Sequence, residues 1–179
     1  MEMKEVRPGV YTPVRDPAFR YTRKAMIELT GVTEPVFKKW QEERRLRLDG
    51  YADVVGANWR RYTSGDVIRV ALMVELVGLG VDWSTGAEIL NEIAPVEKGN
   101  PKEPEWMKGF DGTSKVMAVW TSFEVPVISI VDDSTPVSKF FNGSQKRGLR
   151  LIELTKLVDQ TRGNMGLWDR EQANGSGDD

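Results

Sequence analysis

Apolar residues along the chain fall into short periodic segments separated by Pro, Gly and charged residues. From Thr22 the period is helical. Met26, Leu29 and Val32 mark one side of a helix over 23–29, Thr22 can cap its start and Gly31 supplies a stop. Thr33 offers a second N-cap, and Pro35 sits in a first turn where its missing N–H is harmless. A helix then continues to residue 45, with Val36, Phe37 and Trp40 alternating with Lys38 and Lys39. The connection Thr30-Gly31-Val32 is short enough for a helix-turn-helix. Between Leu46 and Tyr62 the helical period stops. Gly50, Gly56 and Asn58 interrupt Leu48, Tyr51, Val54, Val55 and Trp59, the pattern of a β-hairpin or wing. Thr63-Ser64-Gly65-Asp66 has capping-box spacing and opens a segment, 67–77, that is apolar on nearly every side. Such a helix must be packed all round, which makes it central. After Gly78 and Gly80, a further helix over 84–94 carries Ala87, Leu90 and Ile93 or Ala94 as its stripe.

The flanking regions read differently. Residues 1–19, with Pro8, Gly9, Pro13 and Pro17, predict an extended arm, and Pro95, Gly99, Pro101 and Pro104 predict a linker over 95–114. Residues 115–123 and 125–131 are rich in β-branched and aromatic side chains and predict two strands, with Pro126 favouring an edge. Residues 145–162 predict a helix despite Gly148, and 166–179, polar and acidic, predict a disordered tail. The expected fold class is therefore mainly α, with a helical unit over 20–94 followed by a small α+β unit over 115–165. Two strands and one helix leave apolar strand faces open, so a homodimer through the second unit is expected, with residues 20–95 folding alone.

Composition narrows the chemistry. At 179 residues the chain can bury one core plus an extension. No apolar run approaches the ~20 residues of a membrane span, and the N-terminus lacks the apolar stretch of a signal peptide, so a cytoplasmic protein without membrane contact is expected. Cys and His are both absent. That removes disulfides, thiolate metal sites and His-based nucleophilic catalysis, and no enzyme activity, metal or cofactor is expected. Asp132-Asp133-Ser134-Thr135-Pro136 reads as a turn. The formal charge of −2 hides a gradient. Residues 20–62 hold ten Lys and Arg against six acids, a net of +4, leaving −6 for the remainder. Contact with phosphate belongs to the first part.

The order helix, turn, helix, wing, helix, helix, together with Leu29-Thr30-Gly31-Val32-Thr33, Phe37-Lys38-Lys39-Trp40-Gln41-Glu42-Glu43 and Arg60-Arg61-Tyr62-Thr63-Ser64-Gly65-Asp66-Val67, resembles the winged helix-turn-helix DNA-binding domain of the MerR family. The resemblance covers about 75 residues and stops at Ala94. It implies a site-specific transcriptional regulator that binds double-stranded DNA. The implied contacts are Thr22 and Arg23, then Thr33, Lys38, Lys39, Trp40, Arg44 and Arg45 about the recognition helix, and Arg60, Arg61 and Tyr62 at the base of the wing. A Lys/Arg cluster on a helix is ordinarily a solvated face; its place in this motif is what favours DNA. The wing is longer than the family's, with Asp49 and Asp53 near its tip, and a Pro-containing linker stands where the family has its dimerising helix. Without cysteine, thiol-based metal sensing is excluded. The second unit is left an effector pocket, an oligomerisation surface, or contact with RNA polymerase or a phage protein. DNA packaging by a phage terminase small subunit, excisionase-type recombination, and a protein-interaction module without DNA affinity are the alternatives.

Overall fold

The computed structural model describes residues 3–7, 10–13, 20–43, 45–48, 51–52, 60–93, 114–122, 125–136 and 146–175. They form a mainly helical protein with a small three-stranded antiparallel sheet. The first elements depart from the expected extended arm: β1 (Met3–Arg7) and β2 (Val10–Pro13) pair antiparallel. Their β-branched residues favour this, and the Pro8-Gly9 dipeptide between them is a turn signal.

Helix α1 (Arg23–Thr30) starts at Thr22, whose hydroxyl accepts the Ala25 N–H at 3.1 Å, and stops at Gly31, which takes the left-handed conformation at φ 71°. Helix α2 (Glu34–Glu43) follows after three residues and buries Phe37 and Trp40. Next come two short strands, β3 (Tyr51–Ala52) and β4 (Arg60–Arg61), paired antiparallel; the rest of the expected wing, 49–50 and 53–59, lies outside the described residues. An isolated bridge between Tyr21 and Tyr62 then ties the entry to α1 to the end of β4 through two backbone hydrogen bonds of 3.1 and 2.8 Å.

Helix α3 (Ser64–Gly78) is buried from Gly65 through Met73 and again at Leu76. Its start is held by the expected capping box. Asp66 N–H donates to the Thr63 hydroxyl at 3.1 Å, while Thr63 N–H donates to Asp66 Oδ2 at 3.0 Å. The other Asp66 oxygen meets Arg69 Nη1 at 3.4 Å, a pair buried on both sides. Helix α4 (Trp83–Ile93) begins at Asp82, whose carboxylate accepts from the Ser84 and Thr85 backbones and hydroxyls and is held down at a pKa of about 2 by those bonds. Gly86 allows α4 against α3: a Cβ there would lie 2.9 Å from Met73 Sδ.

The sheet has the order β6-β5-β7, built from β5 (Lys115–Ser122), β6 (Val125–Asp132) and β7 (Lys146–Glu153). Pro126 sits on an edge strand, where a missing donor is tolerated. Asp132 through Thr135 make the expected turn, closed by Thr135 N–H on the Asp132 carbonyl at 2.9 Å. The helix expected over 145–162 is corrected. Its first half is strand β7 and only its second half is helical. Gly148, at φ 66°, lies where the β5–β7 register slips by one residue, so it marks a bulge rather than a helical turn. Helix α5 (Leu154–Gly175) then runs through much of the expected disordered tail. Leu154, Val158, Thr161 and Met165 are buried at helical spacing along it, and that stripe orders the segment despite its polar composition.

These elements share one apolar core. Val158 and Met165 of α5 and Met117, Val119 and Ile152 of the sheet join the cluster that holds Tyr21, Met26, Phe37, Ile68 and Leu90. On the other sheet face, Ala118 and Trp120 are buried with Val127, Val131 and Leu149 packed against them. Leu151, paired with Ala118 on this face, stays exposed.

Two outcomes follow. Asp66→Ala leaves the Arg69 charge buried without this partner and removes the cap, and should lower stability by about 3–5 kcal/mol in urea denaturation. Because α5 and the sheet complete the core of α1 and α3, the whole chain should unfold in a single transition, coincident by far-ultraviolet circular dichroism and tryptophan fluorescence; two separated transitions would mean independent units.

Candidate nucleic-acid interface

Three arginines, Arg20, Arg23 and Arg61, are brought together at the start of α1. The Tyr21–Tyr62 bridge places Arg61, one residue before Tyr62, beside the entry to α1. Arg61 Nη1 donates to the Arg20 carbonyl at 3.4 Å. Arg20 itself reaches Asp169 of α5 at 3.3 Å and lies over the Tyr21 ring, 5.1 Å from its centroid. Arg23, the first residue of α1, faces Glu34 at the start of α2 at 3.6 Å, an ion pair too long for a hydrogen bond. The start of α1, the start of α2 and the end of β4 therefore lie close together.

Helix α2 turns Phe37 and Trp40 into the core and leaves Lys38 and Lys39 exposed. Each lysine has an acid one turn on: Lys38 reaches Glu42 and Lys39 reaches Glu43, both at 3.8 Å. Such exposed pairs are worth only about 0.3–0.5 kcal/mol and yield readily to a phosphate. Thr33 is exposed, and its carbonyl accepts the Phe37 N–H at 2.9 Å, opening the helix.

Several expected contacts are taken up by the fold. Trp40 is 5 % exposed and Tyr62 1 %, so both side chains belong to the core. The Tyr62 ring packs edge-on to Phe37 at 5.7 Å and its hydroxyl accepts from Gln41 Nε2. Thr22 spends its hydroxyl on the α1 cap. Arg45 turns toward α4, its guanidinium 5.5 Å from the centre of the Trp83 ring, and its carbonyl accepts from Asn91 Nδ2 at 2.7 Å. Arg44 and the side chain of Arg60 lie outside the described residues. Arg20 was not among the expected contacts; its signal was its place just before a helix N-cap in the basic segment.

The α+β part has a concavity of its own, an open cleft of about 830 Å³ between the start of β5, the end of β7 and the first turns of α5. Its two lysines are each held by an acid: Lys115 reaches Asp132, and Lys156 reaches Glu153 at 3.4 Å, while Asp133 and Asp159 add further carboxylates to the lining. Among the described residues no group of three or more carboxylates could hold a metal ion, and no helix is long and apolar enough to cross a membrane. No protein-family model matches the chain, and no curated protein matches it.

Tyr62→Phe should cost about 0.5–1.5 kcal/mol of stability through the lost Gln41 bond. Urea denaturation of Tyr62→Phe and Gln41→Leu, singly and together, checks this: the double variant should lose less than the sum of the two.

Proposed function

We propose that this protein is a site-specific double-stranded-DNA-binding regulator that uses residues 20–93 as a winged helix-turn-helix of MerR-like type. The observation that carries the reading is helix α2. It follows α1 across a three-residue link that turns on a left-handed Gly31, is anchored by Phe37 and Trp40, and presents Lys38 and Lys39 to solvent. A recognition helix needs this division, one side holding the domain and the other free to enter a major groove. The β3–β4 ladder supplies the base of a wing, and Arg61, with Arg23 and Arg20 near it, offers guanidinium groups suited to phosphate.

On this reading the roles divide. Lys38 and Lys39 approach bases and flanking phosphates from α2; Arg23 and Arg61 grip the backbone beside it. Trp40, Tyr62 and Thr22 act by holding these groups in place. The net +4 of residues 20–62 steers the duplex to this side of an otherwise acidic protein.

Lys38→Ala with Lys39→Ala should weaken duplex binding at least tenfold. Arg61→Ala should weaken binding to all sequences and lower the salt slope by about one. Fluorescence anisotropy over a salt series measures both, and affinities unchanged in both variants would sink the assignment.

A further inference from the structure

We propose that the C-terminal end of α5 is an autoinhibitory strap that occupies Arg20 and must give it up when the protein grips DNA; this rests on the DNA-binding reading above. Three contacts seat the strap. Trp168 packs on Tyr21 with ring centroids 5.8 Å apart, its indole N–H donates to Glu28 Oε2 at 3.3 Å, and Asp169 meets Arg20 Nη1 at 3.3 Å. All three fall on α1 or on the two residues leading into its cap, beside Arg61 and Arg23.

The chemistry is that of competition. A carboxylate and a phosphate ask for the same donors of a guanidinium, so Asp169 stands where a DNA phosphate would bind and adds a negative charge that repels the approaching backbone. The Arg20 side chain is 56 % exposed and Asp169 33 %, which makes this a surface ion pair. Such pairs are weak, and a phosphate can displace this one. The strap is anchored independently by Met165 and Trp168 against the core, so Asp169 can release Arg20 while the rest of α5 stays docked. Displacing Asp169 takes part of the gain from a phosphate contact at Arg20, so binding is held down on every duplex and is strongest where α2 also engages.

The test uses the full-length chain and a mixed-sequence duplex, read by anisotropy over a salt series, with thermal unfolding confirming that each variant is folded. Asp169→Asn should bind about 3- to 10-fold more tightly than the parent, with a salt slope steeper by about 0.9 because one more phosphate is engaged. Glu171→Gln, which removes a neighbouring charge from α5, should change affinity much less. In an Arg20→Ala background Asp169→Asn should give no gain. Affinity unchanged or reduced in Asp169→Asn, an equal gain in Glu171→Gln, or a gain that persists without Arg20 would overturn the strap. If Lys38→Ala with Lys39→Ala abolishes binding while Asp169→Asn matches the parent, the strap alone falls and the DNA reading stands. Absence of duplex binding by the parent and by Asp169→Asn at low salt overturns both.

Discussion

Before its last turn, helix α3 has no side that can be left to water. Its residues from Gly65 to Met73 are buried in succession, so the chain must enclose it with α1, α4 and α5, and nearly every other feature follows from that enclosure. A helix start buried this deeply also hides N–H groups that water would otherwise satisfy. The Thr63–Asp66 box answers two of them, and Asp66 then needs a counter-charge, which Arg69 brings one turn further along the same helix. The β4 strand and the Tyr21–Tyr62 bridge are fixed by their attachment to this helix start, and they carry Arg61 and Arg20 with them.

The run Arg60-Arg61-Tyr62-Thr63-Ser64-Gly65-Asp66-Val67 takes on a different meaning in this light. Tyr62 fills the core against Phe37, Thr63 and Asp66 cap α3, and Gly65 and Val67 are buried. Most of the motif is therefore explained by the demands of folding, and Arg61 is what it holds beside the start of α1. The motif that resembles a DNA-binding family thus argues first for a local architecture, and for function through what that architecture holds at the surface.

What could be read from sequence was what local chemistry determines. Thr22, Gly31, Thr63 and Asp66 mark helix ends by groups within four residues of one another, and the helices they bound lie where expected. The run Leu149-Arg150-Leu151-Ile152 was misread because its period suits either a strand or a helix. What decides it is pairing with Met117 and Val119, more than thirty residues away in sequence. The stripe Leu154, Val158, Thr161 and Met165 continues at helical spacing to Trp168, and only its acidic and Gly-containing surroundings argued for disorder. For the candidate site, the exposure of Lys38 and Lys39 could be inferred from the burial of Phe37 and Trp40. The meeting of Arg20 with Asp169 could not, because no local rule connects opposite ends of the chain.

The charges on α2 bear on how such a site could discriminate. Its Glu34, Lys38, Lys39, Glu42 and Glu43 sum to −1, so this helix alone gains little from a featureless polyanion. On the DNA-binding reading, the sequence-independent attraction comes from Arg23, Arg61 and the rest of the basic segment, while each α2 lysine must exchange an acid one turn away for a contact on DNA. That exchange is favourable where a base edge or phosphate sits within reach, and nearly neutral elsewhere. Separating attraction from selection in this way raises the contrast between right and wrong sites without requiring tight binding to DNA in general.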